Sequence, residues 1–303
     1  MPNLINLACG QTFDSRWINL DQHASSDDVK AHDLRNPLPF SDNFADAIYC
    51  SHFLEHLDFG MADKFLIECL RCLKPDGILR IVVPDFERMA KDYLKILGKI
   101  ETGETRSIEH AWMHLEIFDQ FSRNRPEGLM CTYLRNPNVH QNEFIRNRIG
   151  EAIDNFQVSS IQTQSTETNL RSKLRMIKFL LFDASFRTHF LIKKIFPKKY
   201  NAFLISSGES FFNEILQMIV PGLTYLQIKQ ALFRNSGEVH LQSFDQYNLK
   251  QKLSEVGFGE IKKVTSRQSA IPNWNDYLLD INPNGNERKA DSLYMEAKRL
   301  APS

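Results

Sequence analysis

Residues 4–57 decide the fold: LINLACGQTF (4–13), WINLD (17–21), AHDL (31–34) and LPFSDNFADAIYCSHFLEHL (38–57). Short runs at Leu4–Ala8, Trp17–Leu20, Val29–His32 and Ala47–Cys50 stop in turn at Cys9-Gly10, Asp21, Asp33 and Ser51-His52. Continuous runs of this kind read as parallel strands covered on both faces. In open α/β sheets, ligands bind beyond the carboxyl ends of the strands. The polar stops therefore predict one crevice assembled from successive strand ends.

Within that crevice, the turn glycine Gly10 lets a ligand approach backbone N–H groups. Ala8 and Thr12 stand where a full glycine fingerprint would place further glycines. Asp21 ends the second run and is suited to accept hydrogen bonds from a diol. A dinucleotide-type fold spaces such an acid about 20 residues from its glycine turn. Asp21 follows Gly10 too soon for a crossover helix, so either the first helix shrinks to a turn, the favoured reading, or Asp21 is a plain surface residue. Asp33 is placed to accept from an exocyclic amine. His52, Glu55 and His56 spell H-x-x-E-H, a zinc-protease pattern. That chemistry needs both histidines on one face of an established helix. Here His52 falls in a strand-end turn, so no metal is expected.

Downstream, Met61–Leu73 has a helical apolar stripe and stops at Lys74-Pro75-Asp76-Gly77. Cys69 and Cys72 on that helix read as packing residues. Ile78–Val83 reads as a fifth strand, and Phe86–Ile100 and Ile108–Phe121 as helices. His110 and His114 lack an acidic partner at ligand spacing and read as a polar helix edge. Gln157–Asn169 is linker-like, and Arg171–Lys199 is a basic segment interleaved with aromatic and aliphatic residues. Such a segment lies on an anionic membrane surface, grips an acidic acceptor, or forms a lid helix with a solvated basic face. Ser243–Val256 is expected as a helix with Ser243 and Gln246 as its capping box, ending at Gly257. Gly259–Thr265 and Ser292–Arg299 read as the last strands. The expectation is an α/β fold: a Rossmann-like, mostly parallel sheet with helices on both faces, a reduced first helix and a large helical insertion. Residues 1–95 and 236–303 would form a discontinuous core, and 96–235 a helical lid.

Composition is that of a globular chain, 42% hydrophobic and 24% charged, with Lys+Arg and Asp+Glu balanced at 37 each. No net basic field points to nucleic acid. The five cysteines fall mostly in predicted strands or on an apolar helix face, which fits reduced thiols better than a disulfide framework. No leader pattern and no membrane span are read, so a cytoplasmic protein is expected.

The runs NLACG, INLD, HDL and LPFSDNFADAIYCSHFLEHL, with FLIECLRCLKPDGILRIVVPD (65–85), together resemble class I S-adenosylmethionine-dependent methyltransferases of the type 11 branch. The block around Glu116, Asp119, Gln120, Arg123, Gly128 and Met130 is similar to predicted methyltransferases of bacterial glycan-biosynthesis clusters. SAIPNWNDYLLD (269–280) and RKADSLYMEA (288–297) are similar to them too. The resemblance implies S-adenosylmethionine as cofactor. Ala8, Cys9 and Gly10 would cradle its methionine end and Asp21 its ribose. Asp33, with Leu34 beside it, would meet the adenine, and Ser51 and His52 would lie near the sulfonium. Asn6 departs from the acid usual in the first strand.

The resemblance implies methyl transfer to a sugar or cell-envelope glycan precursor, a small-molecule or glycan acceptor with no nucleic-acid partner. Glu116, Asp119 and Arg123 either contact that substrate or make interhelix hydrogen bonds. For a hydroxyl acceptor, His52 and His240 are the candidate bases, since imidazole titrates near neutrality. For a carboxylate acceptor both would be bystanders. Two other readings stand beside this one: a binding module that keeps the fold without catalysis, and a peripheral membrane protein anchored through Arg171–Lys199.

Overall fold

The computed structural model describes residues 2–104, 107–150, 153 and 224–301. The linker 157–169 and the basic segment Arg171–Lys199 lie outside the described residues. The chain divides into two compact units, Met1–Phe156 with Asn235–Ser303, and Gln157–Arg234. The boundary expected at residue 96 therefore falls inside the first unit. Of the second unit, the structure describes Thr224 and one helix over Tyr225–Arg234, whose first turn is capped by the Thr224 hydroxyl through Gln227 N.

The first unit is built on a seven-stranded sheet of β1 (Leu4–Leu7), β2 (Ile18–Asp21), β3 (Val29–Ala31), β4 (Ala45–Ser51), β5 (Leu73–Pro84), β6 (Phe258–Val264) and β7 (Ser292–Arg299). Its order is β3-β2-β1-β4-β5-β7-β6. The first five strands pair in parallel, and β7 runs antiparallel between β5 and β6. The Rossmann-like expectation is thus borne out. The fifth strand is longer than the Ile78–Val83 expected. It starts at Leu73, pairs there with Ala45, and resumes at Ile78 against Ala47 with Lys74–Gly77 looped out of register.

Between β1 and β2 there is no helix, only turns. Two buried amides do the helix's holding work. Asn6 Nδ2 donates to Thr12 O at 3.2 Å and to Asn19 Oδ1 at 3.1 Å. Asn19 Nδ2 reaches the carbonyls of Asp14 and Trp17, each at 3.0 Å. The residue that departs from the usual first-strand acid is therefore the one that ties down the shortened connection.

One sheet face packs on α1 (Phe59–Cys72) and on the helix Gln246–Val256 through Leu66, Cys69, Leu249 and Leu253. Helix α1 starts before the expected Met61 because the Asp58 side chain accepts from Met61 N at 2.9 Å. The capping box expected at Ser243 and Gln246 is instead made by Asp245 and Asn248, each accepting from the other's backbone N–H. A carboxylate cap displaces the hydroxyl one, and the helix starts later in consequence. The opposite sheet face is covered by the segment after β6, whose short 3-10 helix Trp274–Tyr277 seats Trp274, with Ile271 and Leu279, on Trp17, Tyr49 and Tyr294. A third apolar cluster joins α2 (Phe86–Glu101), α3 (Ser107–Ser122) and α6 (Glu143–Ile149) through Met89, Trp112, Met113 and Ile145. The short helices α4 (Gly128–Leu134) and α5 (Pro137–His140) lie between them in sequence. No helix among the described residues is long and apolar enough to cross a membrane.

Candidate active site

A pocket of about 670 Å³ opens at the carboxyl ends of β1 and β4. Its size falls within the usual small-ligand range of about 300–1,000 Å³. Ala8, Cys9 and Gly10 line it from the turn after β1, and Ser51 and His52 from the end of β4. Ala8 (φ 53°), Gly10 (φ 54°) and His52 (φ 53°) all take the left-handed conformation. Two non-glycine residues held in that region at one pocket mark stored backbone strain, which clusters at ligand-binding sites. A Cβ built on Gly10 meets nothing within 4 Å, so the space in front of the turn is open and the left-handed backbone is what favours glycine there.

Asp21 shapes the pocket without lining it. Its Oδ2 accepts from Gly10 N at 2.9 Å and its Oδ1 from His23 N at 3.3 Å. A carboxylate keeps further lone pairs for a ligand diol. Asp33 stands apart from the pocket lining and is held in a two-pronged pair with Arg35 at 2.7 Å, which lowers its pKa. Leu34 beside it is buried in the core. The structure thus brings Ala8, Cys9, Gly10, Ser51 and His52 to one hollow, attaches Asp21 to it through Gly10, and leaves Asp33 and Leu34 out of its wall.

Sequence reasoning did not assign the far wall. Arg288, Lys289, Ser292 and Tyr294 contribute it, with Tyr49 and Asp280 on the floor. The one signal toward them was the likeness carried by residues 269–280 and 288–297. This wall is fixed by Arg80 on β5, which is fully buried. Its Nε and Nη2 donate to Asp280 Oδ2 at 2.8 and 2.6 Å, and its Nη1 to Glu296 Oε1 at 2.7 Å. Nη1 and Nη2 also reach Gln268 O and Thr265 O, each at 2.9 Å, so every guanidinium N–H group is engaged. Tyr49 donates to Asp280 Oδ1 at 2.6 Å.

Burial, helped by the Lys289 charge, draws the His52 imidazole down to about 3, so it is uncharged at neutral pH. Its Nε2 lies 2.9 Å from Ser292 Oγ. Burial lifts the Cys9 thiol to about 11, and the Asp21 charge adds to the lift, so Cys9 is no nucleophile.

His240 does not line this pocket. It lies in a separate small recess with Glu55, Glu116, Gln120 and Phe121. Its backbone N–H donates to Gln120 O at 3.0 Å, and burial draws its imidazole to about 3. Glu116 accepts from Arg148 Nε at 2.7 and 3.1 Å, and burial lifts its carboxyl to about 7 against the pull of that cation. Asp119 accepts from Leu129 N at 2.7 Å and Met130 N at 3.2 Å at the start of α4. A Cβ on Gly128 would come within 2.1 Å of Asp119 Oδ2, which explains why glycine stands there. Glu116 and Asp119 thus make the interhelix contacts that were the alternative to substrate binding. Arg123 lines a recess of about 210 Å³ with Trp112 and Met130.

Residues 9–81 match the family model described as "Methyltransferase domain". The match runs from the turn after β1 into β5 and takes in the end of β4. No curated protein matches the chain. Among solved structures, the chain is similar to a putative methyltransferase of Haloferax volcanii in complex with its Trm112 activator. The identity there is 20% over 29% of this chain and 47% of that one, with a TM-score of 0.24. It is also similar to a SAM dependent methyltransferase from Archaeoglobus fulgidus, at 19% identity over 31% of this chain and 51% of that one, TM-score 0.26. A third likeness, to the CurJ carbon methyltransferase, has 10% identity over 99% of this chain and 49% of that one, TM-score 0.35. The chain spans about half the length of each of these. An open turn at a left-handed glycine, an acid fastened to that turn and a pocket of small-ligand size fit a nucleoside-bearing cofactor. Residues 9–81 are thus similar to a methyltransferase domain, a likeness carried by that segment of the chain.

Proposed function

We propose that the protein transfers a methyl group from S-adenosylmethionine to a hydroxyl of a sugar or cell-envelope glycan precursor. The observation that carries the reading is that the matched segment supplies Cys9, Gly10, Ser51 and His52 to the pocket wall. When bound, the cofactor supplies a methyl group on a sulfonium for in-line displacement. Ala8, Cys9 and Gly10 would hold its methionine end, and the free lone pairs of Asp21 its ribose. Transfer of this kind asks the protein for alignment and exclusion of water more than for covalent chemistry.

The polar wall favours a polyol acceptor. Asn282, Arg288, Ser292 and Tyr294 offer amide, guanidinium and hydroxyl groups to a ligand rich in hydroxyls. His52, uncharged at neutral pH and with Nε2 2.9 Å from Ser292 Oγ, holds that hydroxyl in the polar wall, and the acceptor's proton leaves to solvent as the methyl–oxygen bond forms and the sulfonium–methyl bond breaks. Incubation with methyl-labelled S-adenosylmethionine and a panel of nucleotide sugars tests the reading. Label on a sugar hydroxyl is expected. Transfer confined to carboxylates or amines of small metabolites would overturn the acceptor assignment.

A further inference from the structure

The turn after β4 and the segment 239–242 are stitched together across the fold. Leu241 N and Gln242 N both donate to Glu55 O, at 2.7 and 3.1 Å, and Gln242 Nε2 donates to Leu57 O at 2.7 Å. This bracket sets the His56 and His240 rings edge to face, with centroids 4.7 Å apart at 83°. Beside them lies Glu55, 1% exposed, with neither carboxylate oxygen hydrogen-bonded among the described residues. His52 Nδ1 stands 3.4 Å away but is uncharged at neutral pH, and the Lys289 ammonium acts on the carboxylate through its charge without a hydrogen bond to it. A buried carboxylate without a donor is unfavourable, and native structures supply such groups with a partner.

The partner that fits is a cation. Ligand atoms of Glu55, His56 and His240 lie within 4.8 Å of one another. Ligands on one tetrahedral zinc, each at about 2.0–2.1 Å, sit roughly 3.4 Å apart, so side-chain rotations of about an ångström close the set. His56 Nδ1 lies 3.3 Å from Val239 O. With its Nδ1–H on that carbonyl, the lone pair is left on Nε2, the arrangement of a metal-bound histidine oriented by its outer hydrogen bond. Two imidazoles and one carboxylate are the donor set of zinc and of other late first-row divalent ions. The sequence pattern H-x-x-E-H pointed to the wrong pair: His52 turns to Ser292, and the second imidazole comes from His240, far along the chain.

We propose that Glu55, His56 and His240 form a binding site for one divalent transition-metal ion of the zinc type. The site does not depend on the methyl-transfer reading. An ion there would clamp segment 239–242 to the turn that carries His52.

The test uses the untagged full chain, stripped with chelator and titrated with zinc chloride or cobalt chloride alone. One equivalent of zinc per chain is expected, with a rise in melting temperature. Zinc affinity should fall more than tenfold in E55Q and in H240Q, and stay unchanged in H110A/H114A. Cobalt should give the visible bands of a tetrahedral ion without thiolate charge transfer, a readout on the wild-type chain that stands even if both variants misfold. Absence of stoichiometric binding, loss of binding in H110A/H114A with retention in E55Q, or a thiolate band would overturn the proposal.

Discussion

Asp280 and Glu55 are both sealed from solvent, at 3% and 1% exposure, yet their surroundings are opposite. Asp280 takes two donors from Arg80 and one from Tyr49, and the guanidinium is itself saturated and stacked over the Trp274 ring at 4.5 Å. Among the described residues, nothing donates a hydrogen bond to the Glu55 carboxylate. The difference separates two uses of a buried acid. A satisfied acid locks architecture, here the segment that covers the sheet face and walls the pocket. An unsatisfied one reserves coordination for something the chain does not supply.

The largest expected effect comes from breaking the satisfied side. R80M leaves Asp280 and Glu296 buried without their cation, and should cost about 3–5 kcal/mol of stability in chemical denaturation. A change much below that would mean the two acids carry little charge to begin with. Next comes Asp119, another buried acid, satisfied by backbone N–H groups at the start of α4. G128A forces a left-handed alanine (φ 59°) against Asp119 Oδ2 and should cost about 2 kcal/mol, the sum of a conformational penalty and a lost cap. The smallest effect is expected at Glu55. In chelator-treated protein, E55Q should shift stability by less than about 1 kcal/mol in either direction, since no formed hydrogen bond is removed. If E55Q proved as costly as R80M, the contrast between the two acids would be lost.

The sequence exposed the strand ends more clearly than what packs against them. β1, β2 and β4 were legible because apolar runs stop at residues with an evident job, Gly10, Asp21 and Ser51-His52. The reduced first helix was legible from the short step between Gly10 and Asp21. The amides that replace it, Asn6 and Asn19, carry no pattern that distinguishes them from surface asparagines. The helix after Asp245 was misplaced at its start because Ser243/Gln246 and Asp245/Asn248 are both plausible caps, and only the fold chooses between them. Arg80 looked like one polar residue in a strand, because its partners lie about 200 residues downstream. His240 was read toward the main pocket, whereas pairing of segment 239–242 with the Glu55 turn places it beside His56.

The account turns on the hollow at the ends of β1 and β4 being the S-adenosyl site. Calorimetric titration of the full chain with S-adenosylhomocysteine tests this most directly. The prediction is one site with a dissociation constant on the order of micromolar, about −8 kcal/mol, abolished by G10V, where a branched side chain would fill the open turn. No binding by the wild-type chain, or equal binding by wild type and G10V, would contradict it.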